Sequence, residues 1–150
     1  MTNSDRTQPR RSGTSQFRIT ADRPLNLLRR CPVYSPTPLR QHDVLASELH
    51  LKNLWIKDES ERMRLGSFKA LGGAFAVAQM ICDQSGTDDP MSDRAQATAR
   101  TLRFVTASAG NHGLSVAAGA RVFGAQASIV LSASVPEGFA ERIRAKGAQV

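Results

Sequence analysis

The rhythm of the last fifty residues limits the fold more than any other feature. Residues 102–107 read as a short strand, and 112–123 as a helix rich in Gly and Ala. Residues 127–131 read as a second strand and 136–146 as a second helix. Gln149 and Val150 look like the start of a third strand. Strands that alternate with helices in this way pair in parallel through right-handed crossovers. The expected fold class is therefore α/β, a parallel sheet with flanking helices. Ser134-Val135-Pro136-Glu137 has the Ser-x-x-Glu spacing of a capping box for the second helix.

Upstream, the pattern is less regular. Residues 22–30 suit a short helix with Leu25 and Leu28 facing inward. Prolines at 32, 36 and 38 bias their predecessors toward extended geometry. Residues 41–49 suit a helix with Leu45 and Leu49 on its inner face. Leu54-Trp55-Ile56 reads as the heart of a short buried strand, closed by Asp58 and Glu59. Adjacent acids of this kind usually finish a strand at the surface, and no partner group marks either as a general base. Residues 92–99 suit another short helix.

The net charge of +7 raises the question of nucleic acid, and its location answers it. Residues 1–40 carry eight arginines against two aspartates, whereas residues 41–150 are close to neutral. The basicity thus sits in an N-terminal arm (1–20) with little to bury, which is expected to lack structure. No aromatic platform accompanies it, so a solvated tail is expected and nucleic-acid binding is not. The folded part is expected at 21–150. His42 and His50 have no second ligand at useful spacing, and Cys31 and Cys82 show no metal-ligand pattern, so no metal is assigned. The thiols read as reduced cysteines of a cytoplasmic protein. No apolar run approaches the roughly 20 residues of a membrane helix, and no secretory h-region is visible.

One stretch points to chemistry. Gly66-Ser67-Phe68-Lys69-Ala70-Leu71-Gly72-Gly73 reads as the entry to a helix, with Lys69 in its first turn. Residues 74–81 are apolar nearly all round, which marks a buried helix. A lysine at a helix N-terminus next to such a run would have its ammonium form disfavoured by the dipole and by desolvation. Those are conditions that make a lysine amine nucleophilic near neutral pH. The alternative is a lysine that snorkels to solvent from the helix edge. Gly72 and Gly73 each cost helix stability, about 1 kcal/mol relative to alanine, and a close backbone approach is the expected return.

A second motif, Ser108-Ala109-Gly110-Asn111-His112-Gly113, lies between the first strand and helix of the C-terminal pattern. Ser-Phe-Lys-x-x-Gly-Gly followed about forty residues later by Ser-x-Gly-Asn-His-Gly resembles the fold-type II pyridoxal-phosphate enzymes. The likeness also takes in Tyr34-Ser35-Pro36-Thr37-Pro38-Leu39 and Lys57-Asp58-Glu59-Ser60. It covers about three-quarters of the chain in the right order, and leans toward the diaminopropionate ammonia-lyases within that superfamily.

The resemblance implies a function and a site. Lys69 would form the Schiff base with pyridoxal phosphate and, once freed by substrate, remove the Cα proton, with the cofactor ring as electron sink. The reaction implied is β-elimination from a small amino acid, giving a 2-oxo acid and ammonia. Asn111 matches the asparagine that meets the cofactor 3′-oxygen, although asparagine is also a favoured helix N-cap. Ser108, Ala109, Gly110 and His112, with the amides entering the helix, would face the substrate carboxylate. Phe68 would shape the wall behind the ring, or simply pack in the core. Ala109 departs from the ammonia-lyase pattern, which has an aspartate there; Ser-Ala-Gly-Asn-His is the threonine and serine dehydratase form. Both substrates therefore stay open, as does a non-catalytic remnant. By the same resemblance the chain corresponds to an incomplete large domain plus most of the small one. The Gly-rich phosphate loop would follow in a longer gene product, commonly a homodimer.

Overall fold

The C-terminal alternation folds as its rhythm requires. The computed structural model describes residues 21–150, so the basic arm and the expectations placed on it lie outside the described residues. β3 (Arg103–Ala107) and β4 (Gln126–Val130) pair in parallel, Arg103 opposite Gln126 and Ala107 opposite Val130. Between them runs α5 (Asn111–Phe123), and after β4 comes α6 (Glu137–Arg144). A third parallel partner begins where the spacing places it. Ile129 N–H donates to the Gln149 carbonyl at 2.8 Å, and Gln149 N–H to the Ala127 carbonyl at 2.9 Å.

Side-chain alternation along β4 gives the sheet two unlike faces. Ala127 and Ile129 are buried, while Gln126 and Val130 are exposed, as are Arg103, Val105 and Ala107 on β3. The core lies on the buried face. It joins Val77 and Ile81 of α3 (Lys69–Ser85), Ala95 and Ala99 of α4 (Asp93–Ala99), Leu114, Ala117 and Ala120 of α5, and Ile143 of α6. Small residues dominate α5, which lets α3 lie very close to it. A Cβ placed on Gly119 would come within 3.2 Å of the Ala74 Cα.

The N-terminal third differs from the sequence reading in three respects. First, α1 (Asp22–Arg29) and α2 (Asp43–Glu48) form, but α2 buries Ala46 and leaves Leu45 and Leu49 exposed. The face turned inward runs through Ala46, about 100° round the helix from Leu45, so the leucine pair points away from the core. Second, β2 (Trp55–Lys57) is not buried. It pairs antiparallel with β1 (Leu39–Gln41) in a separate two-stranded sheet, and Trp55 is 54% exposed. Nothing among the described residues covers that small sheet, so an apolar triplet reads as core without being core. Third, the sheet inventory is mixed and not purely parallel. The capping box also fails to form: Pro136 precedes the helix, and Glu137 is engaged by Arg144 two turns on.

The burial pattern makes a direct prediction. Ile81 is fully buried between α3 and its neighbours. Ile81→Ala should cost about 3 kcal/mol in urea denaturation. Val44→Ala, at a residue 76% exposed, should stay within about 0.5 kcal/mol. Equal losses at the two positions would contradict this placement of the core.

Candidate functional site

The two sequence motifs open α3 and α5, and these helices pack against each other. Lys69 is the first residue of α3, and Asn111 the first of α5. The Lys69 main chain is held at both ends. Its N–H donates to Ser67 Oγ at 3.2 Å, and its carbonyl accepts from Ser115 Oγ at 2.7 Å. Ser67 and Ser115 are both buried. Gly73 makes the second contact possible, since a Cβ there would stand 1.9 Å from Ser115 Oγ. Of the two glycines, only Gly73 has the close approach the sequence suggested; Gly72 faces open space.

The Lys69 side chain is exposed, with Nζ 5.6 Å from the centre of the Phe68 ring. Desolvation, half of the argument for a reactive amine, is therefore not supplied by the described residues; the position at the helix N-terminus is. Phe68 is 61% exposed and does not pack in the core. It precedes the buried run of α3 and stands over the lysine instead.

At the other motif, Ser108 leaves β3 with its N–H on the Val130 carbonyl at 3.2 Å, and the chain turns through Ala109 and Gly110 into α5. Gly110 N–H donates to Ser108 Oγ at 3.4 Å. The cap position belongs to extended Gly110, so Asn111 is not the N-cap considered from sequence. Gly113 lets the helix start sit against the strand, for a Cβ would fall 2.9 Å from both Ile129 Cγ2 and the Ser108 carbonyl. Ala109, Asn111 and His112 are exposed, and Ser108 and Gly110 half-buried. Among the described residues, neither the Asn111 amide nor the His112 ring makes a hydrogen bond. The first turn of a 13-residue helix also leaves backbone N–H groups without intrahelical partners.

Sequence reasoning missed a third component. Arg62 is 4% exposed and its guanidinium grips Glu59 through two bonds, Nε to Oε2 at 2.6 Å and Nη2 to Oε1 at 2.8 Å. It also donates to the Ser35 carbonyl and to Thr37 Oγ1, both at 2.7 Å, and lies 5.6 Å from the centre of the Tyr34 ring. Thr37 Oγ1 completes the circuit by donating to Glu59 Oε1 at 2.5 Å. Glu59 is thus not a strand-closing surface acid. The network ties the Pro-rich segment to the loop that delivers Lys69. Two non-glycine residues of that loop, Met63 (φ 49°) and Arg64 (φ 56°), adopt left-handed backbone, at a cost of order 1 kcal/mol each. No sequence signal separates Arg62 from Arg64 in this charged stretch; only burial does.

An apolar cavity of about 650 Å³, lined by Leu27, Val33, Met63, Met91, Val122 and Phe123 among others, includes neither Lys69 nor Asn111. Among the described residues there is no cluster of His, Cys, Asp or Glu able to hold a metal ion, and no helix long and apolar enough to cross a membrane.

With this geometry, residues 31–150 match the family described as "Pyridoxal-phosphate dependent enzyme", and the chain belongs to that family. It is 40% identical over 111 residues to diaminopropionate ammonia-lyase of Escherichia coli (strain K12), across 72% of this chain and 27% of that protein. It is 32% identical over 114 residues to a biosynthetic L-threonine dehydratase of Haemophilus influenzae, across 76% of this chain and 19% of the relative. Its fold superposes on the crystal structure of the Escherichia coli diaminopropionate ammonia lyase in complex with an aminoacrylate-PLP azomethine reaction intermediate. The TM-score is 0.74 at 32% identity, covering 86% of this chain and 33% of that one. The chain thus spans about a quarter to a third of the length of these ammonia-lyases. The architecture is that of the fold-type II enzymes over the part covered.

The Arg62–Glu59 pair gives a pH dependence. The guanidinium beside it holds the Glu59 carboxyl down to about 2, against an ordinary value of 4.5. A depressed acid contributes stability that is present above its unfolded value and lost as pH falls through the folded one. Wild-type stability should therefore decline between about pH 4.5 and 2. Glu59→Gln should be less stable at pH 7 and show a flatter acid limb over that window, by urea denaturation at stepped pH. Parallel acid limbs would show that the pair contributes nothing.

Proposed function

We propose that this chain provides the lysine-bearing portion of a pyridoxal-phosphate-dependent ammonia-lyase that carries out β-elimination on a small amino acid. The observation that carries the reading is the Ser115–Lys69 hydrogen bond, which sets the start of α3 beside α5, the helix that the Ser108–Asn111 turn opens. The residues present suit the reactive end of that cofactor. Lys69 offers a primary amine to an aldehyde, Asn111 an unengaged amide to the ring hydroxyl, and Phe68 an exposed ring as a wall. Open space over Gly110 leaves room for a ligand against the backbone. Among the described residues no Gly-rich loop suits the cofactor phosphate. When bound, the cofactor would supply the electron sink for a carbanion at the substrate Cα.

The chain's own residues would then divide the work. Ser108, Ala109, Gly110 and the N–H groups leading into His112 orient the substrate carboxylate, as exposed amides at a helix start do. Lys69 Nζ, once released from its covalent role, would take the Cα proton. The β-substituent leaves, and hydrolysis yields a 2-oxo acid and ammonia. An amino group as the β-substituent is favoured by the 40% identity to the diaminopropionate enzyme. A hydroxyl is the second reading, and Ala109 favours it: a methyl group stands where the ammonia-lyase pattern has a carboxylate. Free Cys31 and Cys82 suit a reducing, cytoplasmic compartment. A homodimeric full-length form is part of the same reading.

The chain has four lysines, which makes the test clean. Pyridoxal phosphate should give a Schiff-base absorbance band, and borohydride followed by peptide mapping should fix the label at Lys69. Lys69→Ala should remove both. Label shared evenly with Lys52, Lys57 and Lys146 would overturn the assignment.

A further inference from the structure

We propose that Ser115 is a positioning residue for the amine of Lys69. The inference rests on the cofactor reading above and assigns one further residue to that site. Ser115 is 1% exposed within a helix face otherwise made of Gly, Ala, Leu and Val. Its hydroxyl donates to the Lys69 carbonyl at 2.7 Å, from a helix 46 residues further along the chain. This bond is the structure's direct polar link between the two motif-bearing helices.

Three features raise it above ordinary helix packing. First, the acceptor is the main chain of the reactive residue itself, whose N–H is fixed on the other side by Ser67. The peptide units flanking the Lys69 Cα are thereby held on both sides, which limits where the side chain can swing. Second, Ser115 stands four residues after Asn111, so the two lie on one face of α5. Third, the contact is built at a cost. Gly73 leaves out the Cβ that would collide with Ser115 Oγ, in a helix where glycine is unfavourable. The approach itself needs the glycine, for a Cβ there would stand 2.7 Å from Ser115 Cβ as well as 1.9 Å from Oγ, and in the space so opened the hydroxyl makes a specific hydrogen bond.

The test uses the full 150-residue chain. Ser115→Ala removes one oxygen and improves helix propensity, so the protein should fold. Ser85→Ala is the control, since it removes another buried hydroxyl that donates to main-chain carbonyls of α3, Ile81 at 2.7 Å and Cys82 at 3.3 Å, at the end of the helix away from Lys69. Two readouts are taken: amide hydrogen exchange in the first turn of α3, and borohydride-trapped pyridoxal phosphate at each lysine. In Ser115→Ala, exchange at Gly73, the amide that bonds the Lys69 carbonyl by helix geometry, should quicken, and trapping at Lys69 relative to the other three lysines should fall about fivefold, the effect of one hydrogen bond. Ser85→Ala should leave the Lys69 share within about twofold.

Unchanged exchange in Ser115→Ala overturns the proposal without any reference to the cofactor. Faster exchange with an unchanged Lys69 share shows that Ser115 only packs helices, and overturns it too. An equal fall in both variants does the same. If the wild-type chain shows no preference for Lys69, the cofactor reading itself fails and takes this role of Ser115 with it. That outcome is distinguishable because it appears before any variant is made.

Discussion

The crossing of α3 over α5 is the constraint on which the rest of the structure depends. Each helix brings one of the two motifs, and neither motif can form a site alone. The helices approach closely only because Gly73 and Gly119 remove side chains at the contact and α5 is built from small residues. Close packing of this kind is unforgiving of added volume. It is also directional here, because the Ser115 hydroxyl and the Lys69 carbonyl must meet at hydrogen-bond distance. Sequence that looks poor for a helix thus becomes a requirement of tertiary contact.

A second device works on the same residue from the opposite direction along the chain. The loop before Lys69 passes through left-handed backbone at Met63 and Arg64, which the chain would not choose unaided. Arg62 offsets that by bridging Glu59, Thr37 and the Ser35 carbonyl. A buried, bidentate arginine–carboxylate pair does not by itself make a protein more stable than an apolar core would. What it gives is geometry: the guanidinium plane fixes two loops that share no regular secondary structure. The lysine turn is therefore held by Arg62 ahead of it and by Ser115 behind it.

The exposure of Lys69, Phe68, Asn111 and His112 belongs to this arrangement. The core is sealed on the helix-covered face of the β3–β4 sheet, by α3, α4, α5 and α6, and the proposed site residues sit at helix starts on its rim. At those ends, backbone N–H groups and partial positive charge are available at no cost in buried polarity. A lysine placed there gains the dipole, and the described residues do not bury its amine.

Much was legible in the sequence, and for identifiable reasons. The βαβαβ order, the parallel register and the start of a third strand follow from alternating apolar periods that are local in the chain. Of the two glycines expected to mark a close approach, Gly73 does so and Gly72 does not. Local pattern fails where burial is decided by something distant. Leu54-Trp55-Ile56 has the composition of a core strand, yet Trp55 and Ile56 lie exposed in a small antiparallel sheet, because hydrophobicity says what can be buried and not what arrives to cover it. Phe68 misled in the same way. Arg62 and Ser115 were invisible for the converse reason: one charge among several and one serine in a helix carry no periodic signal. The sequence by itself determined the order of elements and the two motifs. Only the tertiary structure decided which arginine is buried, which hydroxyl meets the Lys69 carbonyl and which face of each helix is inside, since these depend on contacts between residues 25 or more positions apart.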